Sequence, residues 1–248
     1  MRGWLLALLL MAAPAAAQEP LRLAAAGSLR AALAEVAAAY PGGPVALTFA
    51  PSGLLRQRIA GGEAQDLFAS ANMEHPQALG ATVAFARNRL CAIARPGLEV
   101  TPETLLERML DPQVRLGAST PRADPAGDYA FMLFARAESL RPGARAALEG
   151  KALLLTGGPD SARPPEGQDL YAWQFARGAA DLFLTYCTNA VLARRADPAL
   201  RSVPVPQALS VEAEYGMVAL TPRGAPLRDF ILSAPAQAIL ARHGFAPP

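Results

Sequence analysis

The sequence is poor in the residues that carry enzymatic and metal chemistry. It has two histidines and two cysteines in 248 residues, and neither His75 nor His243 stands at the spacing of a metal-ligand pair or a catalytic motif. The G-x-S-x-G turn that exposes a serine nucleophile is also missing. These absences disfavour an enzyme, a bound metal cation and a cofactor, and we expect both histidines to lie at the surface.

Positive charge is thinly spread along the chain. Lys151 is the only lysine, the formal net charge is +2, and the arginines are scattered rather than grouped. This pattern disfavours binding to nucleic acids. Beyond the N-terminus no apolar run approaches the roughly 20 residues that a membrane-spanning helix needs. We therefore expect the mature chain not to insert into a membrane.

The N-terminus has the pattern of a secretory signal peptide. Arg2 supplies a positive charge, a leucine-rich run extends to Met11, and small residues stand at Ala15 and Ala17. We predict that residues 1–17 are removed by cleavage before Gln18 and that the mature protein reaches the periplasm.

The two cysteines, Cys91 and Cys187, are far apart in the sequence of this exported chain. An even number of cysteines in an oxidising compartment favours a disulfide. Closing a loop of about 95 residues contributes roughly 4 kcal/mol in the chain-entropy account. The alternative is a pair of buried thiols that pack as small hydrophobic side chains.

Two turns of small residues each follow an apolar run and open an amphipathic helix, at residues 24–28 and 50–53. The first amides of a helix have no partner within the helix, and the helix dipole adds partial positive charge there. Two such starts aimed at one point can hold an oxyanion without a lysine. Ser28 and Ser52 are therefore candidate ligands, and a binding protein is favoured over an enzyme.

Short apolar strands alternate with helices from residue 21 to residue 70, and a second such unit begins with an apolar strand at 89–94. This alternation predicts an α/β fold with parallel strands and helices on the faces of the sheet. Ligands of such sheets bind at the carboxyl ends of the strands, where Ser28 and Ser52 lie.

Several motifs together resemble those of the periplasmic molybdate-binding proteins of ABC importers, within the type II solute-binding superfamily. They are Ala-Ala-Gly-Ser-Leu at 25–29, Ala-Pro-Ser-Gly-Leu at 50–54, Gln-Asp-Leu-Phe-Ala-Ser-Ala at 65–71, Pro-Ala-Gly-Asp-Tyr at 125–129 and the closing helix at 233–245. The resemblance covers nearly all of the mature chain.

The resemblance implies a two-lobed type II periplasmic binding protein. Each lobe would be a mixed, mostly parallel sheet flanked by helices, and two crossing strands would act as the hinge. We assign residues 18–88 and 204–248 to lobe 1 and residues 89–203 to lobe 2. The implied function is to capture molybdate or tungstate between the lobes and to deliver it to an inner-membrane ABC permease and its ATPase. We expect a monomer.

The resemblance also implies which residues hold the oxyanion. Ser28 and Ser52 match the two serines of the first lobe, Ala126 matches an amide donor of the second lobe, and Tyr186 matches a ligand tyrosine. Spacing back from Tyr186 places the remaining amide at Gln168. Neutral N–H and O–H donors can replace the hydration of a dianion, and a site made only of donors disfavours a protonated oxyanion, whose own O–H finds no acceptor.

Two carboxylates depart from this simple site. Asp128 follows Ala126 by two residues and Asp169 follows Gln168, and a carboxylate near a dianion opposes its binding. We interpret both as N-terminal helix residues that point away from the ligand, where Asp is favoured. If either faces the cleft, the ligand carries donors or a cation, and Arg122 becomes a candidate compensating charge.

Two alternative functions remain open from the sequence. One is a binding protein for another small anion, or for an anionic or metal-complexed solute. The other is a periplasmic ligand sensor on the same fold, because a fold does not determine function.

Overall fold

The structure is a computed structural model that describes residues 19–248, so the predicted signal peptide lies outside the described residues. The strands are β1 Leu21–Ala26, β2 Val45–Ala50, β3 Leu67–Ser70, β4 Thr82–Ala94, β5 Leu116–Ser119, β6 Leu153–Thr156, β7 Leu182–Tyr186, β8 Arg201–Pro204 and β9 Glu212–Ala219. The helices are α1 Arg30–Ala39, α2 Ser52–Ala60, α3 Glu74–Gln77, α4 Leu105–Leu110, α5 Pro125–Leu140, α6 Ala144–Lys151, α7 Leu170–Ala176, α8 Cys187–Ala196, α9 Ala225–Leu232 and α10 Ala234–Arg242.

Eight of the nine strands form one hydrogen-bonded path in the order β2-β1-β3-β9-β4-β7-β5-β6, and the ninth, β8, pairs with β4 beside this path. Residues 82–89 of β4 pair antiparallel with β9, and β9 in turn pairs with β3 beside the parallel strands β1 and β2. Residues 90–94 pair with β7 and β8, and β7 lies parallel to β5. We call these two parts the first sheet and the second sheet. The chain passes between them through β4 and through residues 205–211.

The predicted mixed α/β fold is confirmed, but several elements differ from the sequence prediction. Strand β4 begins at Thr82 instead of residue 89, because its first half pairs with β9, a partner far along the chain that local periodicity does not show. Strand β6 and helix α8 were not predicted at all. In β6, Leu153 and Leu154 are exposed at the sheet edge, so the strand lacks the buried alternation that marks most strands.

Small residues allow the first sheet to pack closely against its helices. Ala24 and Ala25 of β1 are fully buried. Ala25 packs in one large core with Leu29, Leu33 and Val36 at and after the start of α1, whereas Ala24 packs in a separate cluster with Leu55 of α2. A separate apolar cluster supports the second sheet. At the hinge side of that cluster the predicted disulfide is confirmed: Cys91 of β4 is bonded to Cys187, the first residue of α8.

The histidines differ in their environments. His243 lies 2.8 Å from Glu35 through its Nε2 atom and is partly exposed, close to expectation. The surface prediction is wrong for His75, which is buried in the short helix α3, because that helix packs on β9 and β3.

Within residues 19–248 the structure shows no helix long and apolar enough to cross a membrane. The same part of the chain contains no group of three acidic, cysteine or histidine residues placed to hold a metal ion.

Candidate functional site

A cleft of about 1530 Å³ opens between the carboxyl ends of β1 and β2 in the first sheet and the helix starts of the second sheet. All five residues predicted to hold the ligand line this one cavity: Ser28, Ser52, Ala126, Gln168 and Tyr186. Residues from both predicted lobes therefore meet at a single cleft. Its volume exceeds the roughly 300–1,000 Å³ of a typical small-molecule pocket.

Neither helix start of the first sheet has a side-chain cap. A short 3₁₀ turn, Gly27–Leu29, leads from β1 into α1 with Ala26 at its N-cap, and Pro51 stands at the N-cap of α2. Ala and Pro have no side-chain acceptor for the first amides of the helix. No side chain therefore occupies these helix starts, although the amide of Gly53 in the first turn of α2 already donates to the carbonyl of Ala123.

The two serine hydroxyls lie at these helix starts. Ser52 is fully buried, and its Oγ accepts from the N–H of Ala71 at 3.1 Å, which leaves the hydroxyl hydrogen for another acceptor. The Oγ of Ser28 lies 3.0 Å from the hydroxyl of Tyr215, which also accepts from Asn88 Nδ2 at 3.3 Å. Both hydroxyls are thus oriented by neighbours on the first sheet and β4.

Tyr186 ends β7 and reaches across to the first sheet. Its hydroxyl donates to the carbonyl of Ala71 at 3.4 Å, close to Ser52, which bonds the amide of the same residue. Burial raises the pKa of Tyr186 well above its ordinary value. The side chain is therefore a neutral donor at any physiological pH.

Two helix starts on the second-sheet side, those of α5 and α7, are built in the opposite way, because each is capped by a carboxylate, whereas α8, which follows Tyr186, has no side-chain cap. Asp124 is the N-cap of α5, and its Oδ1 accepts from the N–H of Ala126 at 3.1 Å. Asp169 is the N-cap of α7, and its Oδ1 accepts from the amides of Tyr171 at 3.0 Å and Ala172 at 2.9 Å. Both aspartates line the cleft.

Asp124 was missed by the sequence analysis, although Asp directly before Pro125 is a regular signal for an N-cap followed by proline in the first helical turn. Burial raises the pKa of Asp124 to about 6, and the negative charge of Asp128 adds to that rise. Hydrogen bonds from the Ala126 amide and the Ser119 hydroxyl act in the opposite direction. A carboxyl group that titrates near neutral pH therefore lies in the cleft.

The two carboxylates that the sequence analysis singled out occupy different places. Asp128 accepts from the backbone N–H of Arg122 at 2.8 Å and, like Arg122, is not among the residues that line the cleft. Its interpretation as a helix-start residue that points away agrees with this position. Asp169 caps α7 as expected, but the interpretation that it points away from the cleft is wrong, because it lines the cavity.

The amides predicted as donors already have acceptors within the protein. The Ala126 N–H donates to Asp124, and the Gln168 N–H donates to the carbonyl of Pro165 at 3.2 Å. Gln168 itself is exposed in the segment before α7. In this conformation neither amide is free for a ligand.

The two sides of the cleft touch directly at the start of α2. The N–H of Gly53 donates to the carbonyl of Ala123 at 2.9 Å. A Cβ atom at position 53 would lie 2.1 Å from the carbonyl oxygen of Arg122, so only glycine allows this approach. The contact holds the loop before α5, and with it Asp124, against the first sheet.

Other residues of the cleft wall extend its chemistry. Four exposed arginines line the cavity: Arg30, Arg58, Arg163 and Arg195. The guanidinium of Arg30 lies 4.7 Å from the ring centroid of Phe49. Tyr171 also lines it, and its hydroxyl accepts from Asn189 Nδ2 at 3.1 Å. The wall can therefore contact both charged and apolar parts of a ligand.

The mixed sheet, the two crossing segments and the cleft between them define an α/β ligand-binding protein. A sequence profile of the bacterial extracellular solute-binding protein family matches residues 21–246. An uncharacterised protein of Pasteurella multocida (strain Pm70) is 39% identical over 211 residues, which cover 82% of this chain and 87% of that protein. The chain belongs to the bacterial extracellular solute-binding protein family. It is a solute-binding protein and not an enzyme, as the sequence predicted.

Solved structures of binding proteins share the fold. The sulfate-binding protein SubI from Mycobacterium tuberculosis H37Rv superimposes with a TM-score of 0.73 at 17% identity, covering 93% of this chain and 87% of that chain. The periplasmic molybdate-binding protein of Azotobacter vinelandii gives 0.68 at 19% identity, with 92% and 99% covered. PEB3 of Campylobacter jejuni, bound to L-phospholactate, gives 0.68 at 13% identity, with 92% and 100% covered. At these identities the likeness establishes the fold.

Proposed function

We propose that the protein is the periplasmic receptor of an ABC importer and that it captures an oxyanion in the cleft. The ligand would lie between lobe 1, residues 18–88 and 204–248, and lobe 2, residues 89–203, for delivery to the inner-membrane permease and its ATPase. One observation carries this proposal: Ser28 and Ser52 stand at two helix starts without side-chain caps, in the same cavity as the Tyr186 hydroxyl.

Neutral donors suit an oxyanion that must lose its hydration. Oriented hydroxyl and amide dipoles replace water around the anion, and charge-assisted hydrogen bonds are roughly twice as strong as neutral ones. Ser28 and Ser52 supply hydroxyl donors, and Tyr186 supplies a third once its hydroxyl exchanges the carbonyl of Ala71 for the ligand. Ala126 and Gln168 contribute their amides after exchanging their present acceptors for the ligand.

Molybdate or tungstate is the first ligand candidate, carried by the sequence resemblance of the motifs around Ser28, Ser52, Ala126 and Tyr186. The fold likeness to the Azotobacter molybdate-binding protein is compatible with it. Ligand would shift an equilibrium between open and closed lobes, because only the closed form brings both sides of the cleft to the anion.

A thermal-shift experiment on ligand-stripped mature protein tests the oxyanion proposal. At pH 6, near the pKa of Asp124, we expect molybdate and tungstate to raise the melting temperature, and sulfate and phosphate at equal concentration to raise it less. A ligand present at 100 times its Kd stabilises by about 2.7 kcal/mol, which shifts Tm by several degrees. If no oxyanion in this panel shifts Tm, the oxyanion assignment is wrong.

A larger organic anion is the second candidate, and the cleft volume of about 1530 Å³ favours it. A tetrahedral oxyanion fills only a small part of such a space, whereas the Arg30–Phe49 pair and the apolar wall can contact an organic group. PEB3, which shares the fold, binds L-phospholactate. Adding phospholactate to the same panel separates the candidates, because a larger shift than with molybdate favours the organic anion.

A further inference from the structure

The carboxyl group of Asp124 combines three properties that matter for an anion receptor. Its Oδ1 is occupied by the Ala126 amide, it lines the cleft, and its side chain lies against the backbone of Gly157. A Cβ atom at position 157 would be 2.7 Å from Oδ2 and 2.4 Å from the Asp124 Cβ, so glycine with φ of +81° permits this approach. The carboxyl group is therefore held beside the amide of Ala126, where the proposed oxyanion would bind.

Within the described residues, none of the arginines that line the cleft forms an ion pair with this carboxylate. None of the ion pairs found within residues 19–248 includes Asp124. The ionisable groups that act on it from other elements are Tyr171 of α7 and Tyr186 of β7, whose hydroxyls stay neutral, and Asp128 of α5 adds a like charge. Asp169, which acts on the same Tyr171, is a second carboxylate in the cleft.

The Asp124 carboxylate and a fully deprotonated oxyanion cannot lie next to each other without a proton between them. Both offer only lone pairs, so a close oxygen pair between them has no hydrogen to bond and two like charges to separate. One hydrogen between the two oxygens converts this repulsion into a short charge-assisted hydrogen bond. The hydrogen can come from the ligand or from Asp124.

We propose that the complex holds one proton between the Asp124 carboxyl group and an oxygen of the bound oxyanion. The inference rests on the proposed oxyanion function of the cleft and adds a rule for ligand choice. An oxyanion that carries its own O–H, such as hydrogen phosphate or a hydroxylated organic anion, donates to the Asp124 carboxylate. An oxyanion without a proton binds when Asp124 takes one proton from the solvent onto its carboxyl oxygen and donates it to the ligand.

By this rule the affinity for proton-free oxyanions depends on pH, whereas the affinity for oxyanions with their own O–H does not. Above the pKa of free Asp124, each pH unit costs a proton-free oxyanion about tenfold in affinity, since binding must draw one proton from the solvent. Hydrogen phosphate brings its own proton, so its affinity stays nearly constant while that species predominates. At alkaline pH the receptor therefore favours oxyanions with an O–H.

Titration calorimetry on the mature protein measures this proton directly. Molybdate and inorganic phosphate are titrated at pH 8, about two units above the Asp124 pKa of about 6, in two buffers of different ionisation enthalpy. We expect wild-type protein to take up one proton with molybdate and none with hydrogen phosphate. In Asp124→Asn the amide supplies the hydrogen, so we expect molybdate to bind without proton uptake and at least tenfold more tightly, and hydrogen phosphate to bind more weakly.

Asp128→Asn is the matched control, because it removes one negative charge from the same helix at a residue that does not line the cleft. It should keep the uptake of one proton with molybdate. Two results would overturn the inference and leave the oxyanion function standing. One is that wild type binds molybdate without taking up a proton. The other is that Asp124→Asn takes up one proton with molybdate, as wild type does. If neither anion binds wild type or Asp124→Asn, the proposed oxyanion function itself fails, and the inference with it.

Discussion

The two sides of the cleft use the same structural element with opposite electrostatic results. On the first sheet, the helix starts after β1 and β2 carry hydroxyls and no side-chain caps. On the second sheet, α5 and α7 begin with Asp124 and Asp169, whose carboxylates already accept from the first amides. A helix start can therefore bind an anionic ligand only where its first amides do not already donate to a carboxylate of the protein.

The difference shows that the cleft is not a uniform shell of donors. The first-sheet side offers hydrogens. On the second-sheet side Tyr186 also offers a hydroxyl hydrogen, but Asp124 and Asp169 offer lone pairs next to the amides that a bare oxyanion would need. A ligand that matches both sides presents anionic oxygens in one direction and a donor in the other. Three variants test this division, and the largest effect is expected on the first-sheet side.

The double substitution Ser28→Ala with Ser52→Ala removes both hydroxyl donors of the first-sheet side. Hydrogen bonds to charged groups contribute about 1.5–3 kcal/mol each, so we expect oxyanion affinity to fall by at least about a hundredfold. Titration calorimetry measures the loss. Ser161→Ala, at a cleft-lining serine outside the two helix starts, should change Kd by less than about threefold. An unchanged Kd in the double variant would place the anion elsewhere.

Asp124→Asn tests the second-sheet side without ligand. Because the pKa of Asp124 is about 6 in the folded state and 3.8 ordinarily, its ionised form destabilises the folded protein above pH 6, and this cost disappears as the pH falls toward 4. Asn can still cap α5. We expect the variant to be more stable by about 2 kcal/mol at pH 8 and equal to wild type near pH 4, as measured by urea unfolding.

The opposite pH trend for Asp124→Asn, or a variant less stable than wild type at pH 8, would show that Asp124 has a favourable partner as a carboxylate. Asp128→Asn, at the helix residue bonded to the Arg122 amide, provides the comparison for loss of one charge without a change in the cleft lining.

Asp169→Ala gives the smallest expected effect and asks whether the second carboxylate is a cap or a ligand contact. Loss of an aspartate N-cap costs about 1 kcal/mol of stability, whereas Asp169→Asn should cost only a few tenths, since Asn caps a helix about as well. Urea unfolding of the two variants measures both values. If Asp169→Ala leaves stability unchanged but alters oxyanion affinity more than tenfold, Asp169 belongs to the binding site.

Local patterns were sufficient for much of the fold and for the residues that meet at the cleft. The turns at Ser28 and Ser52 have an apolar strand before them and an amphipathic helix after them, and both signals lie within about ten residues. The disulfide between Cys91 and Cys187 followed from cysteine number and export alone. By contrast, the first half of β4 depends on pairing with β9, which no local window contains.

The chemistry of the second-sheet side could not be read from sequence spacing. Asp124, Asp128 and Asp169 all stand near helix starts, and the sequence alone gives no reason to separate them. The folded structure does so, because the Gly53 to Ala123 contact presses one loop against the first sheet and the left-handed backbone of Gly157 admits the Asp124 side chain. Asp128 instead bonds the Arg122 amide outside the cleft lining.

The amino-acid sequence by itself determined the class of fold and the two hydroxyl-bearing helix starts, and it favoured the cross-link over two buried thiols, since these depend on periodicity, turn residues and composition. Only the tertiary structure decided that Asp124 and Asp169 line the cleft while Asp128 does not, and which amides remain free. Side-chain direction at a helix start depends on what packs against that start, and here the packing partners come from distant parts of the chain.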